Sequence, residues 1–128
     1  MPGWLRVALV LPLVVLNTLV HALPLFAVAL AKALLPFAGA RRACNAALTG
    51  LAESWIAFNS RMIGGFTATR FVVEVPEGLR ADGHYLVLAN HQSWVDILVL
   101  QQIFNRRIPL LRFFLKRQLF WVPVLGLA

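Results

Sequence analysis

The sequence predicts a membrane-embedded helical N-terminus followed by an α/β domain. Three observations predict it. The chain has 128 residues, of which 60% are hydrophobic and 13% charged, against about 45–50% and about 25% in a soluble domain. Its N-terminal part holds one long uncharged run. Further along, the hydrophobic pattern changes from helical spacing to strand-like alternation. This composition excludes a disordered tail and an ordinary cytosolic domain. Cys44 stands alone. It cannot form an internal disulfide, so a disulfide scaffold is excluded and nothing points to an oxidising compartment.

Residues 1–40 form the first unit, a hydrophobic membrane anchor. From Val7 to Ala31 no residue carries a formal charge. As a helix at ~1.5 Å rise this run is roughly 37 Å long, enough to cross a ~30 Å hydrocarbon core. Arg6 stands before it and Lys32, Arg41 and Arg42 follow. Trp4 occupies the position of an interfacial aromatic. Pro12 and Pro24 each remove a backbone donor and leave a second topology open: two short helices, 7–23 and 25–40, hinged near Pro24 and returning to the same side. Cations flank both ends, so the positive-inside rule does not choose between a spanning and a re-entrant anchor. Ala29-Leu30-Ala31 resembles a signal-peptidase site, but the run before it is long for a signal peptide and Ala33-Leu34-Leu35-Pro36-Phe37 continues it, so a retained anchor is the expectation. Asn17 and His21 inside the run are read as residues of a polar face or a kink rather than as functional intramembrane groups.

Residues 41–66 form the second unit, an amphipathic linking helix. Leu48, Leu51, Ala52, Trp55, Met62 and Ile63 recur at helical spacing, and Arg41, Arg42, Glu53 and Arg61 supply polar positions. Gly64-Gly65 is the expected stop. Two placements remain open: on the membrane surface with Trp55 at the interface, or packed against protein.

Residues 67–128 form the third unit. Arg70-Phe71-Val72-Val73-Glu74-Val75 alternates and is rich in β-branched residues, which predicts a strand. His84 to Ala89 is a near-continuous apolar run, suited to a strand buried on both faces. Ser93 to Phe104 reads as a helix, with Asn105-Arg106-Arg107 at its C-terminus, where cations suit the helix dipole. Pro109 to Leu115 reads as a third strand, and a further element begins at Gln118.

Charge is unevenly placed. Of the overall +7, residues 97–128 contribute Arg106, Arg107, Arg112, Lys116 and Arg117 with no acid, while basic and acidic residues balance over 41–96. Basic surfaces bind nucleic acid, anionic lipid or phosphorylated small molecules. The apolar composition favours the last two, and no zinc spacing or RNA-binding aromatic signature supports nucleic acid.

The residues that carry chemistry lie where the second predicted strand turns into the helix: Asn90-His91-Gln92-Ser93-Trp94-Val95-Asp96. Ligands of α/β sheets bind at such carboxyl ends of strands. An aspartate in the first helical turn points back toward the N-terminus and can reach His91. A carboxylate on one imidazole nitrogen fixes the tautomer and leaves the other as an acceptor. Such a histidine can take the proton of a substrate hydroxyl as it attacks an acyl carbonyl. The same spacing, Ser93-x-x-Asp96, also fits an ordinary capping box, in which His91 has no task. Spacing alone favours that plainer reading.

The segment resembles the N-H-x-S-x-x-D motif of the glycerolipid acyltransferases, and within them is most similar to the bacterial 1-acylglycerol-3-phosphate (lysophosphatidate) acyltransferases. The run from Phe113 to Gly126, with Lys116, Arg117, Pro123 and Gly126, resembles their next motif block. The resemblance is detailed over roughly residues 70–128. It implies His91 as general base on the free hydroxyl of a lysophospholipid acceptor and Asp96 as the residue that orients it. It implies Asn90, Ser93 and Trp94 as turn-shaping residues, and Lys116 and Arg117 as candidates for phosphate or membrane-surface contact. Gln118 stands where many members carry Glu. The implied donor is a fatty acyl thioester on coenzyme A or acyl carrier protein, and the implied reaction takes lysophosphatidate to phosphatidate in phospholipid biosynthesis. The implied site is the cytoplasmic face of a bacterial inner membrane. No metal or redox cofactor is implied.

The family's later motifs, an Arg-containing block and an E-G-T-R-like block, do not occur in these residues. The expectation is therefore an incomplete α/β domain, the N-terminal part of a longer enzyme, with little activity as residues 1–128 alone. Three strands would leave uncovered sheet edges. The competing readings are a non-catalytic membrane-anchored interaction or lipid-binding protein, and an acyltransferase for another lysolipid head group.

Overall fold

The computed structural model describes residues 2–68, 70–90, 92–93 and 95–113. The described residues form three helices: α1 (Gly3–Leu34), α2 (Ala38–Phe66) and α3 (Val95–Phe104).

α1 is a single helix of 32 residues, roughly 48 Å long at 1.5 Å per residue. It runs unbroken through Pro12 and Pro24, so the hinge considered near Pro24 does not form. Each proline costs one backbone bond, to Ala8 and to Val20, without stopping the surrounding apolar helix. The break comes at Leu35, whose backbone (φ −92°, ψ 115°) is extended. Pro36 disfavours helical geometry in the residue before it. α1 is long and apolar enough to cross a membrane by length and composition. Its outward side chains, among them Trp4, Leu11, Leu19, Leu23, Leu30 and Leu34, are exposed.

α2 has 29 residues, begins three positions before the expected start and passes through Gly64-Gly65 to Phe66. Gly64 and Gly65 are not among the positive-φ glycines, so neither adopts the left-handed backbone with which glycine ends helices. Thr67 closes the helix instead: its N–H and Oγ1 both donate to the Ile63 carbonyl, at 3.0 Å and 2.6 Å.

The two helices form an antiparallel hairpin joined at residues 35–37. Asn17 Nδ2 donates to Asn59 Oδ1 (2.8 Å) and to the Trp55 carbonyl (3.2 Å). Trp55 Nε1 donates to Thr18 Oγ1 (3.1 Å). The His21 ring reaches the Asn17 carbonyl through Nδ1 (2.9 Å) and Ser54 Oγ through Nε2 (3.2 Å). The α2 partners run from 59 back to 54 as α1 advances from 17 to 21, which fixes the antiparallel sense. Asn17, Ile56 and Asn59 are buried in this seam. Asn17 and His21 thus belong to a polar face, as expected. Trp55 turns toward α1, so this face of α2 packs against protein.

The strands expected at 70–75 and 84–89 are not present: among the described residues there is no strand, and 70–76 and 83–90 are irregular. The third expected strand is irregular over 110–113, and its last two residues, with the element from Gln118, lie outside the described residues. The physical reason is that alternation encodes a face, whereas a strand exists only when a neighbour pairs its backbone. Among the described residues no such ladder forms. The apolar positions of these segments consequently stand open, Val72 at 84% and Leu88 at 86% exposure. The α/β character expected from the pattern is therefore not displayed by the described residues.

The loop between these segments is held locally. Arg80 grips Asp82 through Nε (3.0 Å) and Nη2 (2.8 Å), and the Arg80 N–H donates to the Tyr85 hydroxyl (2.8 Å). The hydrogen bonds from Arg80 hold the Asp82 carboxyl below its ordinary range. A Cβ at Gly83 would lie 2.5 Å from the Tyr85 ring, so the ring can close over this turn only because residue 83 has no side chain.

Candidate active site

α3 begins at Val95, two residues later than the pattern suggested, because Ser93 acts as its cap. Ser93 Oγ accepts from the Val95 N–H (3.3 Å), and the Ser93 carbonyl accepts from the Asp96 N–H (3.1 Å). Asp96 lies in the first turn, as expected, and reaches back. Its Oδ2 accepts from the backbone N–H groups of Gln92 (2.6 Å) and Ser93 (2.8 Å). Two otherwise orphaned donors at the helix start are satisfied by one carboxylate, and negative charge at a helix N-terminus is favoured by the dipole. The capping box is real. It also directs the half-buried Asp96 carboxylate at the turn that immediately follows position 91.

His91 and Trp94 lie outside the described residues, as do Lys116 and Arg117. Of the turn-shaping candidates, Asn90 is exposed and Ser93 serves the cap. The structure brings Asn90 and Asp96 to the wall of one groove of about 1680 Å³. The groove runs between α2 at Thr49 and Glu53, the 81–90 segment, α3 at Ile97 and Leu100, and residues 106–113. Leu110, Leu111 and Phe113 give it apolar wall; Arg112 lines it together with the carboxylates of Asp82 and Asp96, and Arg106 at its edge is paired with Glu53. A concave site with apolar walls and a few polar groups suits an amphiphile. Among the described residues no cluster of His, Cys, Asp or Glu could hold a metal ion.

Glu53 was not singled out from sequence, yet it lines the groove and contacts the far end of α3. Its carboxylate accepts from Arg106 Nε (3.2 Å), and its backbone carbonyl accepts from Asn105 Nδ2 (3.3 Å). No local signal could have found this contact, because the partners are more than fifty positions apart.

Comparison with known proteins bears on this segment. Residues 70–128 match the family model described as Acyltransferase. The match takes in the turn at 90–96 and the block from Phe113 to Gly126. The class to which this segment is similar is the acyltransferases; its motifs resemble those of the glycerolipid members. The chemistry it supports in general is acyl transfer between an acyl donor and a lipid acceptor. No curated protein and no solved structure matches the chain.

Proposed function

We propose that the protein transfers a fatty acyl group from a thioester of coenzyme A or acyl carrier protein to the free hydroxyl of a lysophospholipid, with lysophosphatidate as acceptor and phosphatidate as product. The observation that carries this reading is the acyltransferase match over 70–128, together with an aspartate that caps the very turn in which the N-H-x-S-x-x-D motif places its histidine. In the proposed step His91 takes the proton of the acceptor hydroxyl while that oxygen attacks the thioester carbonyl. The tetrahedral adduct collapses with cleavage of the carbon–sulfur bond, and the leaving thiolate takes the proton back from His91. Asp96 steadies the imidazolium between the two transfers. No serine or cysteine nucleophile is required, because the acceptor supplies the attacking oxygen.

The groove supports the choice of substrate class. Its apolar walls suit an acyl chain, and Arg112, with Lys116 and Arg117 further along, suits the phosphate of the acceptor or an anionic membrane surface. α1 supports a membrane location, and the proposed site is the cytoplasmic face of a bacterial inner membrane, where both thioester donors occur.

The test is His91→Ala in the intact protein, assayed with a labelled acyl donor and lysophosphatidate. The expected result is loss of transfer by at least about a hundredfold, the usual scale for a general base, with unchanged folding. Wild-type transfer by the variant would refute the base assignment. Replacing lysophosphatidate by lysolipids with other head groups tests the acceptor.

A further inference from the structure

We propose that Glu53 and Arg106 form a clamp that positions the catalytic turn, so that the α1–α2 hairpin sets the geometry of the acyl-transfer site. This rests on the acyltransferase reading of the turn at 90–96. Four observations carry it.

First, α3 has no fully buried side chain among its ten residues and is half-buried from Asp96 to Phe104, so its packing leaves room for a tether to set where it lies. Second, the residues just after α3 are tied to one point on α2. Asn105 Nδ2 bonds the Glu53 carbonyl and Arg106 Nε bonds the Glu53 carboxylate, while Ile108, two positions on, is 5% exposed. Third, Arg106 has φ +62° and is the sole non-glycine residue with positive φ among those described. A side chain in that conformation is strained, and such strain persists where the surroundings over-determine it. Here the backbone N–H groups of Arg107 and Ile108 close the turn on the Phe104 carbonyl, and the ion pair and the adjoining amide bond add to that hold. Fourth, Glu53 adjoins the best-anchored stretch of α2, where Ser54, Trp55 and Asn59 bond α1.

The connections form one path. The polar seam fixes α2 at 54–59, Glu53 fixes the C-terminal turn of α3, and α3 is a rigid lever of about 15 Å at 1.5 Å per residue. At its other end Asp96 holds the turn at 92–93. Glu53 and Arg106 touch no reacting atom in this scheme; they are positioning residues. An exposed ion pair in isolation contributes little. This one has a different task, which is to hold the orientation of a helix that is only half-buried among the described residues.

Arg106→Gly separates this role from folding. Glycine adopts positive φ without strain, so the backbone turn survives while the clamp is lost. The experiment uses the full chain in membranes and compares Arg106→Gly, Glu53→Ala and the double variant. Hydrogen exchange is measured in the peptide covering 92–104. There both single variants are expected to exchange about tenfold faster, as for a segment released into local opening, while peptides covering 3–34 keep wild-type rates. Acyl transfer is expected to lose ten- to hundredfold in kcat, roughly the effect of misplacing a catalytic group by 1 Å, with KM for the acceptor little changed. The double variant should be no worse than either single, because both remove the same contact. Wild-type exchange and kcat in Arg106→Gly, or additive losses in the double variant, would overturn the proposal. If the unaltered protein transfers no acyl group, the functional reading fails on its own, and the exchange rates still decide the clamp.

Discussion

Asp96 combines two tasks that substitution can separate. Its Oδ2 accepts two backbone N–H groups at the start of α3, and in the proposed reaction its charge orients and stabilises the histidine. Asparagine keeps an acceptor oxygen and removes the charge; alanine removes both. Asp96→Ala should therefore lower stability by about 1 kcal/mol, the ordinary effect of losing a helix cap, and Asp96→Asn by clearly less. Both should lower acyl transfer to a similar degree, at least about a hundredfold. Thermal unfolding and transfer rates on the same preparations check this. Wild-type transfer by Asp96→Asn would leave the residue with its cap alone. The cap was legible in the sequence because Ser93-x-x-Asp96 is a local pattern. The contact between Glu53 and Arg106 was not: spacing marks one as a polar position of a helix and the other as a cation past a helix end, but their meeting depends on how α3 lies against α2.

At the level of elements, the hairpin depends on a polar seam inside an apolar pair of helices. Asn17 spends both amide hydrogens on α2. Removing it leaves the Asn59 carboxamide oxygen, in a residue only 2% exposed, short of a donor. Asn17→Leu should destabilise the hairpin by about 1 kcal/mol, within the range for polar contacts between helices in a membrane. Asn17→Leu combined with Asn59→Leu should recover most of that loss, because two apolar partners leave no orphaned group. Denaturation of the four proteins in detergent reads the coupling. Strictly additive losses would show that the Asn17–Asn59 bond does not organise the seam. Helices were well forecast because their backbone bonds are internal to each segment. α1 and α2 follow the uncharged run and the helical spacing to within a few residues. The predicted strands did not appear for the complementary reason: Val72, Leu86 and Leu88 state which face is apolar, but a ladder also needs a neighbouring backbone, and the described residues provide none.

For the whole molecule the open question is how the hairpin meets a membrane, and the packing of α1 on α2 narrows it. If α1 crossed the bilayer, α2 would cross beside it, since the two are bonded from Asn17 to His21 and from Ser54 to Asn59. Glu53 and Arg61 would then lie level with the middle of α1. An ionised side chain at the bilayer centre costs about 2.5–3.5 kcal/mol on insertion scales. The joining segment carries cations as well, with Lys32 before it and Arg41 and Arg42 after it, so it is a poor candidate for burial in hydrocarbon. The arrangement that avoids both costs lays the hairpin along one leaflet. The exposed apolar side of α1 sinks into the acyl region, and the cations reach to the headgroups. Cys44, half-exposed in α2 one turn beyond Arg41, is the sole cysteine of the chain and reports the topology directly. In sealed vesicles of known orientation, a membrane-impermeant maleimide should label Cys44 from the same side as an introduced cysteine in the 76–82 loop, made in a Cys44→Ser background. Labelling of the two from opposite sides would mean that the hairpin crosses the membrane with its charged side chains compensated there. The one-leaflet arrangement would then be wrong.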